Sequence, residues 1–178
     1  MYIKYTPVKF LYLRVTDTCW PVYARAMFRR RRTDHYCFYE IQWDESLMGN
    51  DAPQTFPGIM AHEEGHIMLH HHFTQMGHKL KEIEADIYAI SKVGFDVYFH
   101  ELVGLSIKSN EFYTDEIIKR ATATNNTKVL SQLEYEMCDQ TYTIDNVHDR
   151  FKSRKSELGD LTQDRAKHYV DCRLENMQ

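Results

Sequence analysis

A chain of 178 residues with 43% hydrophobic and 13% aromatic content can bury a sizeable core, which excludes an intrinsically disordered protein. Its net charge of −4 excludes a global electrostatic pull toward nucleic acid or an anionic membrane. Four cysteines (Cys19, Cys37, Cys138 and Cys172) show no CxxC spacing, and there is no apolar run of signal-peptide or membrane-spanning length, so a reduced, cytoplasmic protein is expected.

The N-terminal part, residues 1–48, reads as strands. Lys9 to Val15 is β-prone and mostly apolar, and Thr16-Asp17-Thr18 is a turn signal. Val22 to Phe28 fits either a second strand or a short helix. The run Arg29-Arg30-Arg31-Arg32 reads as a solvated hairpin loop, or alternatively as a docking patch for an acidic partner or a phosphate backbone. His35 to Trp43 is the clearest strand: Cys37, Tyr39, Ile41 and Trp43 alternate with Tyr36, Phe38, Glu40 and Gln42.

Helices follow. Beyond a loop through Gly49, Asn50, Asp51 and Pro53, Thr55 is a candidate N-cap and Pro57 sits near the first helical position, where a missing N–H costs nothing. The spacing predicts a helix over 57–72 and a second from His78 or Lys79 to Gly94. Further helices are predicted over 95–107, over 111–137 with a break at Asn125-Asn126, and over 145–158 and 161–174. The fold class expected is α+β, a single domain over 1–178. It would comprise strands in 1–48, two central helices in 56–93 and a mostly helical part in 95–178, with a small antiparallel or mixed sheet packed on the first central helix.

Six of the ten histidines fall between His62 and His78. His62, Glu63 and His66 form an H-E-x-x-H pattern. On a helix, His62 and His66 lie one above the other on one face and can grip one Zn²⁺, with Glu63 in reach of water at that ion. His70, His71 and His72 read as solvated helix-end residues, favourable near the C-terminal dipole. Two sources of a third ligand compete. His72 stands six residues after His66, but that arrangement needs a glycine at position 69 to let the chain swing back, and Leu69 is there. On a continuing helix His72 would lie about 9 Å further along the axis and about 240° round it. The second source is Glu82, sixteen residues after His66. Glu82, Ala85, Asp86 and Ala89 share one stripe, and the two alanines facing Gly65 would let the helices approach closely. Asp86 is placed to accept a hydrogen bond from the outer nitrogen of a ligating histidine. Glu84 points about 200° away from Glu82. Glu82 is therefore the expected ligand.

His62-Glu63-x-x-His66 followed by Glu82-x-x-Ala85-Asp86 resembles the gluzincin metallopeptidases, and among them the HtpX- and CAAX-prenyl-protease-like and the ImmA/IrrE-like peptidases. The resemblance is specific over residues 36 to 93. Tyr39 to Met48 looks like their strand and loop into the active helix, and Asn146 to Phe151 is similar to an arginine-containing segment of the first group. The membrane helices of the HtpX-like enzymes and the helix-turn-helix domain of many ImmA-type chains are not evident. The resemblance implies a zincin-like fold, Zn²⁺ held by His62, His66 and Glu82, and peptide or protein substrates. The substrate would pair along the strand over 35–43, taken as a sheet edge. Glu63 would be the general base for zinc-activated water, with Tyr88, Tyr113, Tyr142, His148 or Arg150 as the oxyanion donor. A repressor-cleaving regulatory peptidase is one form of this reading. The alternative is a zincin-fold interaction or structural protein of a larger assembly, of the kind phages or mobile elements encode, that keeps the metal site without protease activity.

Overall fold

The computed structural model describes residues 2–8, 24–30, 37–105, 158 and 161–177. Over these the protein is α+β. Its sheet has three strands, β1 (Ile3–Val8), β2 (Ala24–Arg30) and β3 (Cys37–Asp44), in the order β1-β3-β2. β1 runs parallel to β3, with Tyr5 opposite Ile41; β2 runs antiparallel to it, with Ala26 opposite Ile41.

β3 lies at the centre because its alternation suits two covered sides. Tyr39, Ile41 and Trp43 point into the core and are buried. Glu40 and Gln42 on the other face are also buried, and their partners explain it: Arg29 Nε donates to Glu40 at 3.0 Å, Thr6 Oγ1 donates to it at 3.0 Å, and Arg25 Nε and Nη2 donate to Gln42 Oε1 at 3.2 and 3.0 Å. Three expectations change here. The strand over 35–43 is not an edge, since β1 and β2 flank it. Val22 to Phe28 resolves in favour of a strand at Ala24–Arg30. Arg29 and Arg30 belong to β2 rather than to a hairpin loop, because cross-strand pairing to Phe38 and Cys37 extends that far. Lys9 to Val15, Arg31 and Arg32, and the helices expected over 111–137 and 145–158, the latter apart from the helical Leu158, lie outside the described residues.

Asp44 ends β3 and caps α1 (Glu45–Met48), its carboxylate accepting from Ser46 N at 2.9 Å. A short α2 (Ala52–Thr55) leads into α3 (Pro57–Met68). Thr55 is not the cap of α3. It closes α2, donating to Asp51 O at 3.1 Å. The free N–H groups of Gly58 and Ile59 are instead taken by Glu101 Oε2, at 2.9 and 3.0 Å. Glu101 lies on a helix over residues 95–105 (α5).

α3 stops four residues earlier than expected. Leu69 begins the exit and His70 takes a left-handed conformation, φ 54°. α4 (His78–Val93) and α6 (Gln163–Glu175) match their expected bounds to within two residues. Thr162 caps α6, accepting from Arg165 N. The core lies between the sheet and α3, α4 and α5, and includes Ile41, Leu47, Ile67, Ile90 and Leu105. Leu69, Tyr88 and Val170 form a smaller cluster under α6.

Candidate metal centre

The two helices that carry the HExxH pattern and Glu82 meet without a spacer. A Cβ placed on Gly65 would lie 2.9 Å from Tyr88 Cβ and 3.1 Å from Ala85 Cα. The small residues expected to permit close approach therefore stand at the crossing. Close approach is what brings Glu82 to the histidines, because a glutamate side chain is short.

His62 Nε2 and His66 Nε2 lie 3.2 Å apart. Glu82 Oε2 is 3.5 Å from His62 Nε2, and Oε1 is 3.4 Å from His66 Nε2. An ion held tetrahedrally at about 2.0–2.2 Å spaces its ligand atoms about 3.3–3.6 Å apart. The two Glu82 contacts are made by different oxygens; one ligand atom from each of the three residues lies within 4.8 Å of the others, and two imidazoles with one carboxylate suit a divalent ion.

The outer nitrogen of each histidine is also held. His62 Nδ1 is 2.9 Å from Asp86 Oδ1 and 2.9 Å from the Tyr98 hydroxyl. Tyr98 donates to Asp86, which leaves its oxygen free to accept from His62. Asp86 stands where sequence spacing put it; Tyr98, on α5, had no local signal. His66 Nδ1 is 2.9 Å from His71 Nδ1, and His71 Nε2 is 3.0 Å from Glu84 Oε2. This corrects one expectation. His71 is buried rather than solvated, because the left-handed turn at His70 folds it back beneath His66. Glu84 does point away from the ligand face, as expected, but into a buried network where Tyr169 and Arg173 of α6 hold it. His70 and His72 are exposed, and His72 lies against Tyr39, ring centres 5.9 Å apart.

Charges follow from this packing. Burial disfavours the charged form of His62, but hydrogen bonds to Asp86 and Glu82 outweigh it and raise its pKa to about 10. Burial and the adjacent His62 push His66 down. Burial opposes ionisation of Glu82, yet the two histidines hold its carboxyl below the ordinary range. Glu84 is likewise held low, with burial overcome by hydrogen bonds from Tyr169, Arg173 and His71.

Glu63 follows His62 and is turned toward β2. Burial raises its pKa, opposed by His62 and by a hydrogen bond from the backbone N–H of Ala26. Tyr88, one oxyanion candidate, packs its Cβ against Gly65 at the helix crossing, with Lys92 Nζ 5.0 Å from its ring centre. Tyr113, Tyr142, His148 and Arg150 lie outside the described residues. Among the described residues no helix is long and apolar enough to cross a membrane. Comparison with protein-family models, with curated proteins and with solved structures finds no match to this chain.

Proposed function

We propose that this protein is a zinc-dependent metallopeptidase of the gluzincin type, with a zincin-like core. The observation that carries the reading is the juxtaposition of the His62, His66 and Glu82 group, which could hold a metal ion, with a partly buried carboxylate, Glu63, that is not part of that group. A purely structural site needs no such base.

His62, His66 and Glu82 would hold the ion. A zinc ion there would supply Lewis acidity, acidifying a water and polarising a substrate carbonyl. Glu63 would be the general base, accepting a proton and delivering it to the leaving amine. Its raised pKa suits both halves of that task. The Ala26 N–H fixes the direction in which the carboxylate points. Among the described residues β3 is central and β2 is a sheet edge, so β2 is the strand that would receive an extended peptide beside Glu63.

The test is paired. Purified protein is analysed for bound metal, and wild type and Glu63→Gln are offered a peptide library. The proposal expects one zinc in each protein and cleavage by the wild type, falling about 100-fold or more in the variant. Zinc in both with cleavage by neither favours the scaffold alternative. No zinc in the wild type removes the metal reading altogether.

A further inference from the structure

Behind His66 runs a line of polar contacts that reaches the C-terminal helix. It passes from His66 Nδ1 to His71 Nδ1, from His71 Nε2 to Glu84 Oε2, and from Glu84 Oε1 to the Tyr169 hydroxyl at 2.7 Å and Arg173 Nε at 2.9 Å. Four segments contribute: α3, the turn after it, α4 and α6.

We propose that Glu84, acting through His71, selects the tautomer of His66 that presents a bare Nε2 to a metal ion. An ionised carboxylate only accepts hydrogen bonds. Its Oε1 already receives Tyr169 and Arg173, so His71 must donate from Nε2 to Oε2. A neutral ring that carries its hydrogen on Nε2 has a bare Nδ1. The 2.9 Å contact between the two Nδ1 atoms needs one hydrogen, and His66 must supply it. His66 then carries its hydrogen on Nδ1, and its Nε2, the atom facing Glu82 and His62, is free to ligate. The reverse order would set a lone pair of His71 against a buried carboxylate. Glu84 and His71 are 6% and 3% exposed, so water does not relieve that repulsion. Glu84 and His71 are thus positioning residues, and α6 supplies the donors that fix which oxygen of Glu84 faces inward.

This rests on the metal-binding half of the proposed function and is independent of peptide hydrolysis. A plain structural pin between the turn and α4 would also explain burial, so the test must read hydrogen positions. Glu84→Gln preserves shape. Tyr169 and Arg173 require an oxygen at the Oε1 position, which leaves the amide NH₂ facing His71. Both rings would then reverse, putting a hydrogen on His66 Nε2. Imidazole ¹⁵N NMR on the metal-free protein reads the tautomers, with His71 decisive because His62 does not touch it. Chelator competition reads zinc affinity.

The wild type is expected to carry its hydrogen on His71 Nε2. Glu84→Gln is expected to move it to Nδ1 and to weaken zinc binding by about 10–100-fold. In a His71→Phe background the same change should alter affinity by no more than about twofold. A wild-type His71 protonated on Nδ1 overturns the proposal even if Glu84→Gln fails to fold. Reversed tautomers with unchanged zinc affinity overturn it too. Absence of zinc binding by the wild type sinks the metal reading, and with it the role assigned to Glu84.

Discussion

Gly65 and Tyr88 touch where α3 crosses α4, with 2.9 Å between Tyr88 Cβ and the position a Cβ on Gly65 would take. Because Ala85 Cα lies 3.1 Å from the same point, the backbone cannot give way cheaply. Gly65→Ala should raise helix propensity by about 1 kcal/mol but overpack the crossing by about 1–3 kcal/mol, so a net loss of about 1 kcal/mol is expected in urea denaturation. Zinc affinity should fall as well, since the strain moves Glu82 away from the histidines. Unchanged affinity would mean that the helix spacing does not set the site.

The parts of this site that sequence reveals are those joined by helical spacing. His62 and His66 one turn apart, Glu82 and Asp86 one turn apart, and the small residues Gly65 and Ala85 all lie on local stripes. The parts it hides are joined by tertiary packing. His71 enters only because His70 takes a left-handed turn, and nothing in a run of three histidines marks the middle one as buried. Leu69 does not keep the helix going, as the case against His72 assumed: the chain turns at His70, and His72 comes to lie exposed against Tyr39. Tyr98, Glu101, Tyr169 and Arg173 act from helices distant in sequence. In the sheet, alternation identified β3 but not its central place, because alternation reports the two faces of a strand and not what pairs along its edges.

Glu101 caps a helix to which it does not belong. Its Oε2 takes the N–H groups of both Gly58 and Ile59, the start of the helix that carries His62 and His66. Glu101→Ala should cost about 1–2 kcal/mol, as loss of an N-cap does, and Glu101→Gln less, since an amide oxygen can still accept. Chemical denaturation of the metal-free protein measures both. Equal losses for the two variants would point to packing rather than capping.

Arg29 is engaged within its own sheet, 3.0 Å from Glu40. The arginine is substantially exposed, so the pair should contribute only about 0.2–1 kcal/mol in a double-mutant cycle, diminishing with salt. Burial opposes ionisation of Glu40, but Arg29, Thr6 and Gln42 hold its carboxyl below the ordinary range. A lowered acid stabilises the fold above its unfolded pKa and loses that contribution as pH falls through the folded value. Arg29→Ala should therefore flatten the acid limb of the stability profile. An unaltered limb would show that Arg29 is available for an outside partner.

Metal uptake should release about one proton at neutral pH, and His62 is its source. In the metal-free protein His62 has a pKa of about 10, so it is charged, whereas the lowered His66 is already neutral and the lowered Glu82 already ionised. A ligating His62 must give up the hydrogen on Nε2. Zinc affinity should then rise about tenfold per pH unit from about pH 7 until the rise ends near the His62 pKa. The stability of the metal-free protein should run the other way. A histidine raised in the folded state stabilises fully below its unfolded pKa of about 6.5, and that contribution is lost as pH rises through about 10. Asp86→Asn removes an acceptor 2.9 Å from His62 Nδ1, lowers the His62 pKa and should cut proton release below one. Calorimetry in two buffers of different ionisation enthalpy counts the protons, and release that is zero in the wild type, or unchanged in Asp86→Asn, would show that His62 does not hold the displaced proton.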